Sequence, residues 1–502
     1  MAISSSLSPI PKRFFTPTMA RHLLERAGTG GSPADIAELH GLGLDEAAKR
    51  LARYESVDAS GLSDFDADPD IIRPRTAEER AEVRKARRAG DEATVDAFQR
   101  RKVEAFGEDR RMFTQLQRWW VQRMIDTPRP AEEKRVLLWH GHFATRHRDI
   151  RDAYLMYRQQ QTFRAFGNAS FADLAKAMVR DPAMILFLNN DRNIRRRPNE
   201  NLAREFMELF TLGEGQYTED DIKEAARALT GYHRFDNDFE FRRLVHDGGD
   251  KTILGKTDDF DGDSFVQLLL KQKVTSRYIA LKLYRHYVAD VPEYLDLLPS
   301  DHAKAVNTLG DELLRNTYHV GQTLETLFKS RMFYDRDAIG NKIKSPAHLV
   351  AGAARSLGTP NRSMAILVTA MSKMGQALFE PPSVAGWDGG RSWINTSTMF
   401  MRQNLAIYLI TGHDPTRRNA KARKDYDPTP LLAGLTDRQR ADAASVVDHL
   451  ADALLGPAVE RDRRVPLVEL IRQRTETGKV ADRETLVKTL TLMTAMPEYQ
   501  LC

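Results

Sequence analysis

Apolar residues recur every three or four positions along most of this 502-residue chain, which is the spacing of one buried face of an α-helix. Residues 111–125 show the pattern clearly, because Phe113, Leu116 and Trp120 fall on one side. Helix starts are marked as well, for example by Ser32 before a proline. The pattern predicts an all-α fold class: a mainly α, multi-helix, bundle-like globular protein.

One stretch departs from helical spacing. Between residues 232 and 256, Phe239 and Phe241 alternate with polar neighbours, and Gly248 and Gly249 supply turn residues. We expect a small β-hairpin or an irregular insert there.

Loops and shifts in charge divide the chain into five predicted segments. They are an N-terminal helical unit at 1–58, a charged loop and helical arm at 59–110, a main helical domain carrying the polar segments at 111–412, a polar linker at 413–430, and a C-terminal helical unit at 431–502.

The composition fits folded helices with one apolar and one charged face, since 41% of residues are hydrophobic and 29% are charged. The net charge is only +5. Basic clusters at residues 84–88, 195–197 and 417–424 lack interleaved aromatic side chains. We interpret them as solvated surfaces, so nucleic acid is not an expected partner.

No apolar stretch approaches the length that spans a bilayer, and residues 1–12 lack the apolar run of a secretion signal. The expected location is the cytoplasm by default, with export left open. The single cysteine, Cys502, excludes a disulfide within one chain.

The richest candidate for chemistry is the segment at residues 198–213, which proline and glycine punctuate as a helix of about four turns. Its polar side chains are Glu200, Asn201, Arg204, Glu205 and Glu208. One interpretation is a salt-bridge ladder on a solvated face. The other is a carboxylate pair, Glu205 and Glu208, that binds a hard cation or divides acid and base roles.

Two further segments carry histidine. His142 lies in a His-x-His pair whose members share a side if the chain is extended and face nearly opposite ways on a helix. His246, Asp247 and Lys251 lie in a glycine-containing loop, which is where sites built on a rigid scaffold are often found. The His-x-His pair is also explained by ordinary buried histidines bonded to backbone.

The loop at residues 380–396 contains two prolines and three glycines around Trp387. The glycines allow the backbone to turn tightly there. Trp387 is a candidate ligand-binding residue, although we favour a tryptophan that seats the loop on the helical core.

Taken together, these segments resemble the bacterial family known as domain of unknown function 1800. The resemblance covers nearly the whole chain, and the matching segments are HLLERAG at 22–28, WHGHF at 139–143, DPAM at 181–184, residues 198–213, YTEDD at 217–221, AARALTG at 225–231, His246-Asp247 with Lys251 and Gly255, KSP at 344–346, residues 381–393 and PEYQ at 497–500.

The resemblance implies a mainly helical protein without an agreed activity, in a family whose genes often lie beside those of a sulfatase-like partner. Polar segments far apart in sequence are what one assembled site would show. The first hypothesis is a metal-assisted hydrolase acting on an anionic or polymeric substrate. Its proposed divalent metal ligands are Glu205, Glu208, His142, His246 and Asp247, and its proposed catalytic residues are Glu205, Glu208, His142, Arg204 and Lys251. The alternative is a non-catalytic helical scaffold or accessory module for the sulfatase-like partner.

Overall fold

The computed structural model describes residues 3–413, 425–457, 459–476 and 478–502. The basic cluster predicted at 417–424 therefore lies outside the described residues. So do residues 414–424 of the linker predicted at 413–430.

The described residues form 23 α-helices and two antiparallel strand pairs, which confirms the mainly α fold class. The helices are α1 Pro17–Ala27, α2 Pro33–Gly41, α3 Gly43–Ala52, α4 Ala77–Ala89, α5 Glu92–Asp126, α6 Pro130–His142, α7 His147–Ile150, α8 Ala153–Phe166, α9 Phe171–Val179, α10 Pro182–Phe187, α11 Asn201–Glu205, α12 Glu219–Ala228, α13 Gly262–Leu270, α14 Lys273–Tyr287, α15 Ser300–Arg315, α16 Val320–Lys329, α17 Pro346–Leu357, α18 Met364–Lys373, α19 Thr396–Thr411, α20 Asp437–Arg440, α21 Ala443–Leu454, α22 Arg461–Arg474 and α23 Arg483–Ala495. Nowhere in the described ranges is a helix both long and apolar enough to cross a membrane.

Local sequence signals account for several helix ends. Ser32 caps α2 through a reciprocal capping box with Asp35. Gly90, with φ of 67°, ends α4 in the left-handed conformation and leads directly into α5. Because α5 is one continuous helix of 35 residues, the segment boundary predicted at residue 110 lies inside it.

The insert after α12 consists of two short antiparallel pairs. Strand β1 (Tyr232–Phe235) pairs with β2 (Asp238–Phe241), and β3 (Lys251–Ile253) pairs with β4 (Lys256–Asp258). Phe239 lies opposite Arg234 in the first pair. The small hairpin predicted near residues 232–256 is therefore confirmed, with a second pair following it.

The hydrophobic core runs through α1, α6, α14 and α17, which contribute Leu23, Trp139, Leu283 and Val350 to one cluster. Burial of this apolar surface is the main force that holds the helices together. The same four helices also carry charged residues to the inside of the molecule, and those charges define the site described below.

A buried carboxylate joins α5, α6 and α8. Glu133, whose side chain is 1% exposed, accepts hydrogen bonds from Arg123 Nε at 2.6 Å, Arg164 at 2.7 Å and Trp120 Nε1 at 2.8 Å. Burial would raise the pKa of this carboxyl, but Arg164 and Arg123 outweigh that effect and lower it. The three helices are thus held by one fully partnered charge.

We expect Glu133→Ala to lower the free energy of unfolding by about 3 to 5 kcal/mol, because two guanidinium groups would lose their buried counterion. Chemical denaturation would measure the change. Glu38→Ala is the control: Glu38 pairs with Arg50 on the surface, with 59% of its side chain exposed, and should cost less than about 1 kcal/mol. Equal losses in the two variants would contradict the structural role given to Glu133.

Candidate functional site: a cationic cavity

The polar segment at 198–213 is helical, but its second half is wider than an α-helix. After α11, residues Phe206–Thr211 form a π-helix, in which Leu212 N–H donates to Met207 O at 2.8 Å. Gly213, with φ of 89°, follows directly. Short π-helical segments are often found at functional sites, and this one carries Glu208.

The predicted ladder on this helix forms only in part. Arg204 pairs with Glu200 at 3.2 Å and makes two hydrogen bonds with Glu219, at 2.8 and 2.9 Å. Glu208 instead accepts a hydrogen bond of 2.5 Å from the hydroxyl of Tyr217. Asn201 is exposed at the start of α11.

Glu205 and Glu208 are both half-buried. Burial, together with the charge of Glu208, raises the pKa of Glu205 to about 7. The acid and base roles of the pair stay a prediction.

The two histidines of the His-x-His pair lie on α6 and face different partners, as expected for a helix. His142 Nε2 lies 3.1 Å from the backbone oxygen of Phe210 in the π-helical segment. His140 Nε2 accepts a hydrogen bond of 3.2 Å from the backbone N–H of Phe379. Burial lowers the pKa of each histidine to about 3, so both rings are neutral at pH 7.

The loop residues predicted for the same site have partners of their own. Asp247 forms an ion pair with Arg227 at 2.8 Å, and His246 Nδ1 lies 2.7 Å from the backbone oxygen of Thr230. Lys251 is buried and donates to Asp259 and to Gly249 O, both at 2.8 Å.

The predicted metal ligands therefore lie in three separate sets: the carboxylate pair, His142, and the loop at 246–247. Among the described residues, no group of three or more His, Cys, Asp or Glu side chains is arranged to hold a metal ion. As placed in the described structure, these candidates do not fit a metal centre. The metal itself stays a prediction.

His142 and Trp387 both line a cavity of about 170 Å³, which lies between α1, α6, α14, α17 and the loop around Trp387. We call it the cationic cavity. Its ionisable lining residues are Arg26, Lys134, Lys282, Arg285, Lys342, Asp290, Glu293, Asp388, His142, His286, His348 and Cys502.

Five lysine and arginine residues thus face three carboxylates in the lining. Two of the cations form ion pairs with lining carboxylates: Lys342 with Asp290, and Arg285 with Glu293. Arg26 donates through its terminal nitrogens to the carbonyl oxygens of Tyr287, Val288 and Ala338, while its buried Nε has no partner in the described structure.

Lys134 and Lys282 are different. Within the described ranges, neither ammonium group has a carboxylate oxygen at ion-pair distance. Lys282 lies 4.9 Å from the centre of the Tyr278 ring, a cation–π contact. Burial lowers the pKa of each lysine to about 8. Cys502 and Glu25 oppose this effect at Lys134, and Glu293 opposes it at Lys282. Protein interiors usually pair such groups directly, so two such ammonium groups without a carboxylate in contact are unusual.

Lys134 ends a chain of polar contacts that begins at Glu25 on α1. Glu25 Oε2 lies 2.8 Å from His348 Nε2, and His348 Nδ1 lies 3.0 Å from Lys134 Nζ. Since the carboxylate can only accept, neutral His348 carries its proton on Nε2 and accepts from Lys134 at Nδ1. Lys344, 3.4 Å from the Glu25 carboxylate, and His348 hold its pKa well below the usual range against the opposing effect of burial.

Three ring nitrogens of lining residues are buried without a hydrogen-bond partner in the described structure: His142 Nδ1, His286 Nε2 and Trp387 Nε1. Buried polar atoms are nearly always hydrogen-bonded, so such a group calls for an explanation. Beside them lies the thiol of Cys502. Burial alone would raise its pKa, but Arg26 and His348 lower it to about 6.

The loop that carries Trp387 is seated directly on α6. An added Cβ on Gly386 would lie 2.1 Å from the backbone oxygen of Gly141, and Gly386 has φ of 87°. The rings of Trp387 and His140 are 5.5 Å apart. Trp387 therefore contacts the helical core, as favoured from the sequence, and also lines the cavity.

Sequence reasoning missed Lys134, Lys282, His348 and Glu25. A usable signal existed for some of them. Residues 22–28 and 344–346 were among the matching segments, and charged residues inside apolar helices suggest buried function. Nothing in the spacing, however, shows that four helices bring these residues to one cavity.

The fold and the cavity define a class: a helical protein with a buried cationic pocket. The chain belongs to the DUF1800 family, described as protein of unknown function, whose model matches residues 22–501. This confirms the resemblance inferred from the motifs. No curated protein and no solved structure matches the chain.

We expect Gly386→Ala to lower the free energy of unfolding by about 2 kcal/mol or more, because a left-handed alanine would also clash with Gly141. Gly215→Ala is the matched control. Gly215 has φ of 77°, but nothing lies within 4 Å of its added Cβ, so about 1 kcal/mol is expected. Denaturation curves that show the same loss for both would mean that the loop is not seated on α6.

Proposed function

We propose that the protein is an enzyme whose substrate carries an anionic group, and that this group binds in the cationic cavity. One observation carries the proposal: Lys134 and Lys282 face the cavity without a carboxylate partner in the described chain. An anion would supply the missing counterion. Keeping such charges buried costs stability, a cost that is common at sites kept for function.

The size of the cavity limits the group that enters. A cavity of about 150 Å³ accommodates a molecule such as benzene, so 170 Å³ suits a phosphate, a sulfate or a small carboxylate. The group belongs to a small substrate or to the end of a longer one. The proposal thus keeps the anionic substrate that the sequence analysis predicted, and it does not include the predicted metal ion.

The contact chain from Glu25 through His348 to Lys134 supports catalysis as well as binding. A carboxylate that orients an imidazole, which in turn contacts a donor group, is the arrangement that activates nucleophiles and moves protons. The rings of His142, His286 and Trp387 offer polar atoms for orienting the substrate.

The scaffold hypothesis explains the same residues as a polar network that fixes helix positions for a sulfatase-like partner. Such a role requires every member to be satisfied. The two lysines without a carboxylate in contact and the unpartnered ring nitrogens favour the enzyme hypothesis over the scaffold.

We expect inorganic phosphate, sulfate or pyruvate to bind, with Lys282→Met weakening the affinity about tenfold or more, since a charge-assisted contact would be lost. Isothermal titration calorimetry would measure it. Without anion, the same variant should be more stable by about 1 kcal/mol, because an unpaired buried charge is replaced by an apolar group of similar length. Replacing a lysine with a purely structural role would not both weaken anion binding and raise the stability of the anion-free protein.

Lys373→Met is the control, since Lys373 is exposed at the end of α18. Its affinity and stability should match those of the unaltered protein within about 0.5 kcal/mol. If none of the three anions binds, or if both variants lose affinity equally, the proposed function fails.

A further inference from the structure

We propose that Lys134 forms an imine with the carbonyl carbon of an anionic aldehyde or ketone bound in the cationic cavity. The inference rests on the proposed function and names its substrate class: a small carboxylate or phosphate compound that carries a carbonyl group.

The geometry around Lys134 matches the requirements of an amine nucleophile. Its Nζ lies 3.0 Å from His348 Nδ1, and His348 Nε2 lies 2.8 Å from Glu25. The order is nucleophile, base and orienting carboxylate. Glu25 is fixed in turn by Lys344 at 3.4 Å. The carboxylate therefore orients the imidazole through Nε2, and Nδ1 of His348 faces the Nζ of Lys134.

The surroundings also make the neutral amine easier to reach than in an exposed lysine. Lys134 is 7% exposed, and no carboxylate pairs with its Nζ in the described structure. Burial lowers the pKa of Lys134 to about 8; Cys502 and Glu25 oppose this effect, and Lys342 and Arg26 add to it. Burial beside other cations is one of the ways in which proteins activate lysine.

The second lysine supplies the binding half of the site. Lys282 lines the same cavity from α14, has no carboxylate oxygen at ion-pair distance among the described residues and lies against Tyr278. An anionic group held at Lys282 would leave the rest of a small molecule within the same cavity of about 170 Å³ as Lys134. Two lysines with separate roles require a substrate with both an anionic group and a carbonyl group.

The reaction balances without an oxidant or a reductant. Lys134 gives one ammonium proton to His348 Nδ1, and the amine lone pair forms a C–N bond with the carbonyl carbon as the C–O π pair moves to oxygen. The oxygen then leaves as water with two protons, one returned by His348 and the other released by the nitrogen of Lys134 as the C=N bond forms. The products are a protonated imine on Lys134 and one molecule of water.

Reductive trapping tests the inference. The full chain is incubated with pyruvate and sodium cyanoborohydride, and peptide mapping by mass spectrometry locates the reduced adduct. We expect the adduct on Lys134, with slower labelling when inorganic phosphate competes for the cavity. Acetone, which has the carbonyl but no charge, should label at least about tenfold more slowly.

Three variants assign the roles. Lys134→Arg keeps the charge, so the fold is retained, and should abolish the adduct. His348→Gln should reduce the trapping rate at saturating pyruvate by about tenfold or more, while the half-saturating concentration changes little because Lys282 still binds the anion. Lys373→Met should be labelled like the unaltered protein.

The outcomes separate this inference from the proposed function. Pyruvate that binds by calorimetry without an adduct on Lys134, or an adduct that maps equally to Lys282 or to surface lysines, overturns the imine and leaves anion binding in place. A protein that binds neither pyruvate nor phosphate overturns both. If Lys134→Arg does not fold, Lys134→Gln and the mapped site in the unaltered protein decide.

Discussion

The structure depends on how its buried charges find partners inside a helical core. Glu133 is held by two arginines and a tryptophan, and Arg26 by three backbone carbonyl groups. Because an unpaired charge in an apolar interior is costly, these contacts fix how the helices pack. Lys134 and Lys282 have no carboxylate in contact at one cavity, and the proposed function rests on this departure.

The polar helix at residues 198–213 does not line this cavity. Its π-helical segment offers the backbone oxygen of Phe210 to His142 at 3.1 Å and that of Leu209 to the Tyr278 hydroxyl at 3.0 Å. Tyr278 in turn contacts Lys282. The last turn of this helix therefore supports two lining elements, α6 and α14, through carbonyl groups that a helix leaves free at its C-terminal end.

Much of the fold follows from local pattern. Periodicity predicts the helices, Gly90 predicts the end of α4, and the alternation around Phe239 predicts the first strand pair. The same rules do not reveal the π-helical segment, because residues 201–211 read as an ordinary amphipathic helix. They also place a segment boundary inside α5, since a change in surface charge does not end a helix.

By itself, the sequence determined the fold class and the family, because short-range spacing and motif residues are local properties. It also singled out His142 and Trp387, although not as residues of one cavity. The tertiary structure alone decided that Glu25, Lys134, Lys282 and His348 meet, since they come from four helices up to 323 residues apart. It also decided which charges are paired. The helix after Pro198 contacts lining elements of the cavity but contributes no lining residue. Sequence spacing within that helix could not reveal the cavity, because burial and the distances between charges depend on packing between helices.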